Sequence, residues 1–174
     1  MNTFIISRPD KSEYQSYYET YISLVPGGNI ISLMKDQLRD LIKFFEQINE
    51  DKSLHRYAEG KWSIREILGH LIDGEQIFTY RALRIARDDE ASLPGYDENL
   101  FVENAHFDRL SFTSLIELFI LTRKFSIGVY NSFDEESLLK RGVVDNKPLS
   151  VRAIPYVITG HVTHHLKVIE ERYL

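Results

Sequence analysis

Cysteine is absent from the 174 residues of this chain, which excludes a disulfide framework and any cysteine-ligated zinc site. No stretch approaches the ~18 continuous apolar residues of a membrane-spanning helix. The opening segment Met1-Asn2-Thr3-Phe4-Ile5-Ile6-Ser7-Arg8-Pro9 has no basic region followed by an apolar run, and it does not read as a signal peptide. Lysine and arginine never run beyond two in succession and the formal net charge is −5, so the basic face that nucleic-acid binding requires is missing. The expectation is a soluble cytoplasmic protein that acts on a small molecule, with neither nucleic acid nor membrane as partner.

Several catalytic signatures are missing as well. There is no His-Glu-x-x-His helix, no Gly-x-Ser-x-Gly elbow, no phosphate-cradling glycine loop and no dinucleotide fingerprint. The Glu-x-x-His carboxylate pattern of di-iron bundles does not occur around His161 or His165.

What is present is helical periodicity. Hydrophobic residues make up 43% and aromatic residues 12% of the chain, enough to fill one core, and residues 1–174 read as a single domain. A first long helix is predicted from about Asn29, as N-cap, to Ile48. Ile30, Leu33, Met34, Leu38, Leu41, Phe44 and Phe45 recur along it at three- and four-residue spacing. An aromatic stretch, Tyr14 to Leu24, is read as a short helix before it, with Tyr14, Tyr17, Tyr18 and Tyr21 packing beneath the long one rather than walling a pocket or an interface. The second helix carries a capping box, Ser63 with Glu66, and a staple from Trp62 to Ile67; it extends to about Arg87.

A long connection, Asp88 to Leu110, lets helices 2 and 3 run in the same direction. The third helix follows Ser111 and ends near Asn131, with Leu115, Leu118, Phe119, Thr122, Phe125, Ile127, Val129 and Tyr130 on its buried side. A fourth begins after Ser150 and ends near Arg172, Pro155 costing it one backbone hydrogen bond. Residues 142–149 form a small hairpin or an extended strap. The predicted fold is all-α, a four-helix bundle with a long connection between helices 2 and 3.

The chemistry concentrates on histidine. His161 and His165 stand one turn apart on the apolar stripe of the fourth helix, and i,i+4 residues share a face ~6 Å apart. His164 points ~60–80° away from them and reads as a flanking group. His70 lies on the packed side of the second helix. Two readings are open from spacing alone. These are three buried histidines, each satisfied by a hydrogen bond, or they are three ligands of one divalent ion with a position left free. Asp73 and Glu75 read as solvated flank charges. Arg81, Arg84 and Arg87 at the end of the second helix read as partners of Asp88, Asp89 and the acidic loop, with a clamp for a substrate carboxylate as the alternative.

Four segments carry a family resemblance: Tyr57 through Leu71 (YAEGKWSIREILGHL), Tyr80 through Arg87 (YRALRIAR), Leu93 through Asp97 (LPGYD) and Gly160 through Leu166 (GHVTHHL). In this order and spacing the chain resembles the YfiT-like branch (DinB_2) of the DinB superfamily. The resemblance implies a four-helix bundle that holds zinc or nickel through His70, His161 and His165, and it implies homodimers. It also implies a metal-dependent S-transferase that adds a low-molecular-weight thiol to a small electrophile. A hydrolase that activates water at the same site, or a stress-related bundle with a structural metal, are the alternatives. His164, Asp73 and Tyr96 are the candidates for moving protons.

Overall fold

The computed structural model describes residues 5–89 and 91–174. Met1–Phe4 of the opening segment and Glu90 of the long connection lie outside the described residues. Four long helices form the bundle: α2 (Ile30–Glu46), α4 (Ile64–Ala86), α6 (Phe112–Asn131) and α8 (Ala153–Arg172). Shorter helices are α1 (Glu19–Ile22), α3 (Glu50–Ser53), α5 (Glu98–Ala105) and α7 (Glu135–Leu139).

Local chemistry starts three of the long helices where the sequence indicates. The Asn29 side chain accepts from Ser32 N at 3.1 Å. Ser63 Oγ accepts from Glu66 N at 3.0 Å while Glu66 Oε2 accepts from Ser63 N at 2.8 Å, and Ser111 Oγ accepts from Ser114 N at 3.1 Å. Each satisfies an amide that the first helical turn leaves without a partner. α8 begins differently, with Ser150 Oγ accepting from Ala153 N at 3.1 Å. Pro155 falls in the first turn of α8, where its missing N–H would have had no intrahelical partner, so the expected loss of a hydrogen bond does not occur.

Packing gives the bundle its topology. α4 packs mainly on α6 and α8, and α2 on the same two helices, so α2 and α4 occupy opposite corners. Glu75 meets Arg123 and Thr79 meets Ser126, so α4 and α6 run parallel, as the long connection permits. That connection carries a helix, α5, that the sequence reading did not mark. Asp97 accepts from Asn99 N and Leu100 N to open α5, and His106 (φ 53°) closes it in the left-handed region. Phe107 is then buried against Gly69, where a Cβ would lie 2.2 Å from the ring.

The strap is a hairpin, β1 (Arg141–Val144) antiparallel to β2 (Lys147–Ser150). Asp145 and Asn146 sit at its turn with φ 49° and 59°, the conformation that matches hairpin twist. Leu93 bonds to both sides of Val144 through Val143 O and Asp145 N, each at 2.9 Å, which ties the connection to the hairpin.

Two apolar clusters fill the core. One gathers around Ile30, Met34, Phe78, Tyr130 and Ile154, the other around Leu41, Phe45, Leu68, Phe119 and Ile169. Between them a buried polar layer crosses the bundle. Arg123 on α6, fully buried, donates to both carboxylate oxygens of Glu75 on α4 at 2.8 and 3.0 Å. It also donates to Gln37 Oε1 on α2 at 2.9 Å. Gln37 Nε2 in turn donates to Thr159 O and Thr163 Oγ1 on α8, both at 2.9 Å. All four long helices are thus linked through one set of hydrogen bonds. Glu75 is therefore not the solvated flank charge read from the sequence.

The third helix departs from expectation on one side. Leu115, Phe119, Thr122, Ile127 and Tyr130 are buried, but Phe125 and Leu118 are exposed, beside an exposed Leu121. Among the described residues no helix is long and apolar enough to cross a membrane.

Candidate metal centre

α4 and α8 run antiparallel and face each other along the stripes that carry His70 on one side and His161 and His165 on the other. The direction is marked by Tyr173 Oη donating to Trp62 O at 2.7 Å, far along the two helices from the His70–His161 contact. The result is one cluster: the ligand atoms of His70, His161 and His165 all lie within 4.8 Å of one another. The Nε2 atoms of His70 and His161 are 2.9 Å apart, and the three ring centroids are separated by 4.6 to 5.0 Å.

Two nitrogens that each sit ~2.0–2.1 Å from one ion can be at most ~4.2 Å apart. The His70–His161 pair is inside that limit, and the full set of three, within 4.8 Å, is close to it. Burial suits the same role. Desolvation lowers the imidazolium pKa of His70 to about 4. Desolvation and the neighbouring imidazoles lower that of His165 to about 3 and push that of His161 well below the ordinary value. All three rings are neutral near pH 7 and present the lone pairs a metal requires. Unmetallated, the cluster can satisfy only one N–H···N contact at its centre. The donor set therefore fits a divalent ion, and no fourth histidine, aspartate or glutamate joins it among the described residues.

The triad forms the base of a cleft of about 380 Å³. Trp62 leans on His70 with ring centroids 4.9 Å apart, rather than only stapling the helix start. Tyr21 stands edge-on to His161 at 5.0 Å and to His164 at 5.7 Å. Its approach depends on Gly160, where a Cβ would lie 2.0 Å from the Tyr21 carbonyl oxygen. Tyr17, Tyr18 and Tyr21 line this cleft, while Tyr18 also belongs to the apolar cluster that holds Ile30 and Met34 of α2. Tyr14 alone is turned away, bridged to Leu149. The phenol clustering visible in the sequence was the available signal, and its pocket role was outweighed by the assumption of core packing.

The remaining candidates separate clearly. His164 lines the cleft but stays outside the three-nitrogen cluster; burial and Lys167 lower its pKa. Tyr96 also lines the cleft, and burial pushes its phenol up to about 12, so it is a proton donor near pH 7. Tyr96 Oη and His161 Cε1 lie 3.5 and 3.6 Å from the point a Cβ would occupy on Gly74. Asp73 is half-buried and does not line the cleft, and burial raises its pKa. Arg84 pairs with Asp89 and Tyr80, close to expectation. Arg87 lies over the Phe133 ring. Arg81 instead enters the cleft, held between the Phe78 and Tyr96 rings.

Comparison with known proteins agrees with this fold. The structure is similar to that of YfiT from Bacillus subtilis, described as a probable metal-dependent hydrolase with an unusual four-helix bundle topology. The TM-score is 0.69 at 14% identity, covering 95% of this chain and 90% of that one. No curated protein matches the chain in sequence. The family model for the DinB superfamily matches residues 33–169, and the chain accordingly belongs to the DinB superfamily.

Proposed function

We propose that the chain is a metal-dependent enzyme acting on a small molecule, with His70, His161 and His165 as metal ligands. The reaction that suits the site best is transfer of a low-molecular-weight thiol to an electrophile. The observation that carries this reading is a three-nitrogen cluster at the base of an open cleft with no fourth protein ligand among the described residues. A structural zinc site usually takes four. When bound, a divalent ion there supplies Lewis acidity, lowering the pKa of a coordinated thiol or water toward neutrality.

The chain's own groups favour the thiol over water. Activation of water draws on a carboxylate base in many metallohydrolases, but Glu75 is locked to Arg123 and Asp73 lies off the cleft. The carboxylates on the cleft, Glu98 and Asp145, are exposed at its rim. In transfer, the S–H bond breaks, a C–S bond forms and the leaving group departs with its electron pair. His164, half-buried and neutral, accepts the thiol proton, while Tyr96 donates a hydrogen bond to the developing charge on the electrophile. Trp62, Tyr18 and Tyr21 restrict water around the reacting atoms.

Hydrolysis is the second reading, supported by the description of YfiT. Metal content of the purified chain, measured beside His70→Ala and His165→Ala, tests the site. Stoichiometric metal is expected in the parent and its loss in both variants; retention in both overturns the assignment. Zinc and nickel are the ions expected. A chromogenic electrophile with and without added thiol then divides the reactions, since conversion that ignores the thiol refutes transfer.

A further inference from the structure

Three arginines are buried among the described residues: Arg65, Arg81 and Arg123, 5%, 4% and 0% exposed. A guanidinium keeps its charge at any physiological pH, and a buried charge is costly unless paired. Arg123 is paired with Glu75 at 2.8 Å and Arg65 with Glu50 at 2.6 Å. Arg81 has no carboxylate within 4.0 Å among the described residues. Among the described residues its one hydrogen bond is from Nη2 to Pro94 O at 2.8 Å. Its guanidinium carbon lies 5.3 Å from the Phe78 ring centroid and 5.7 Å from that of Tyr96. The carbonyl and the two rings hold the group in place, and the side chain lines the cleft.

We propose that Arg81 is the specificity-determining residue of this cleft, binding a carboxylate of the small-molecule substrate while its reactive atom faces the histidine triad. The inference deepens the proposed enzymatic reading and rests on it for the reaction, although the binding site is defined by Arg81 itself. His70 and Arg81 are eleven residues apart on α4, three turns, so both project from the same face with their Cα atoms ~16 Å apart along the axis. Gly74 lies between them and contributes no side chain to the floor. The long arginine side chain leans toward the helix N-terminus, which leaves room for an acid with five to seven bonds between carboxylate and reacting atom, by an order-of-magnitude reading of helix geometry. The aromatic walls favour an apolar or aromatic body. Glu98 and Asp145 at the rim disfavour a multiply charged anion such as a phosphate ester, so a monocarboxylate is the class that fits.

The test uses the full chain with 3-phenylpropionate and its neutral isostere 3-phenylpropionamide, read by titration calorimetry. The acid is expected to bind the parent protein ~10–100-fold more tightly than the amide, the range of one charge-assisted hydrogen bond. Arg81→Met is expected to erase that preference, the acid losing far more affinity than the amide, and Arg81→Lys to restore part of it. Equal affinity for acid and amide in the parent overturns the proposal without any variant. So does a preference that survives in Arg81→Met, or inorganic phosphate competing as strongly as the acid. Trp62 is the only tryptophan of the chain and touches His70, so quenching of its fluorescence by nickel reads the metal site separately. Quenching kept in Arg81→Met with the acid preference lost supports the assignment. Loss of quenching in the parent would refute the metal reading and leave the carboxylate result standing by itself.

Discussion

Replacing Gly160 by alanine should destabilise this protein, although helix propensity alone gives the opposite sign. Gly160 lies inside α8, where alanine is favoured over glycine by ~1 kcal/mol. A Cβ at that position, however, would stand 2.0 Å from the Tyr21 carbonyl oxygen and 2.4 Å from its carbon. Restoring van der Waals contact requires α1 and α8 to separate by at least ~1 Å. Both partners are backbone, so no rotamer change relieves the clash. Overpacking of this kind costs ~1–3 kcal/mol or more; taking the upper end against the propensity gain leaves a net loss of ~2 kcal/mol. For a chain of this length that is a fall of ~4–8 °C in melting temperature.

Gly128 is the control. It lies on the exposed side of α6, and a Cβ there would meet nothing within 4 Å. Gly128→Ala should raise the melting temperature by ~1–4 °C. Thermal and urea unfolding of the two variants beside the parent are sufficient. If Gly160→Ala melts at or above the parent, as Gly128→Ala does, the close approach of α1 to α8 described above is wrong, and with it the placement of Tyr21 over His161.

Arg123→Met should cost ~3–5 kcal/mol, because it strands the buried Glu75 carboxylate, whereas the double variant Glu75→Leu/Arg123→Met should recover much of that loss; equal urea midpoints for single and double variants would refute the pairing. Gly74→Ala meets only ordinary contacts, so it should fold with unchanged or slightly higher stability while weakening ligand binding in the cleft; a sharp drop in melting temperature would contradict that geometry. Glu13 is desolvated, which by itself raises its pKa, but hydrogen bonds from Arg152, Asp10 N–H and Ser150 bring it down to about 2. Its contribution to stability is present above the ordinary pKa of 4.5 and lost as pH falls from there toward 2. Glu13→Gln should thus be less stable near pH 7 and show a shallower acid limb, and parallel acid limbs would count against the assignment. Leu118, Leu121, Phe125, Tyr80 and Leu83 form an exposed apolar surface between α4 and α6, the surface on which we place the expected homodimer; Leu121→Lys with Phe125→Lys should sediment as a monomer, and an unchanged sedimentation coefficient would remove this face from the interface.

Much of this arrangement was legible in the sequence. The Ser63–Glu66 capping box and the Asn29 and Ser111 caps are local chemistry, so they mark helix starts without tertiary information. The i,i+4 spacing of His161 and His165 carries its meaning in helix geometry alone. Other features depend on which helices meet. Glu75 and Arg123 look like surface charges until α4 and α6 are placed parallel, and only then does each have a buried partner. Arg81 was assigned to the nearest acidic residues in sequence, but burial between Phe78 and Tyr96 sends it into the cleft. Phe125 and Leu118 obey a helical period that points to a core, yet no fourth face was available to cover them. α5 escaped notice because eight residues carry too few apolar repeats to stand out, although Asp97 was a usable cap.

His70 and His161 are separated by 91 residues in the chain. Bringing two points so far apart together carries a loop-closure entropy of ~4 kcal/mol, beyond a constant term, and only the packed bundle meets it. The unfolded chain still offers His161, His164 and His165 to an ion, but it cannot supply the third arm from α4. Any ion that uses all three nitrogens therefore distinguishes finished from unfinished molecules, and its occupancy adds to the stability of the former by mass action. During synthesis the His70–His161–His165 set cannot assemble until α8 has docked, so an ion met before that moment would find only the neighbouring histidines of one segment. The fold, in this sense, would set when such a site forms as well as where.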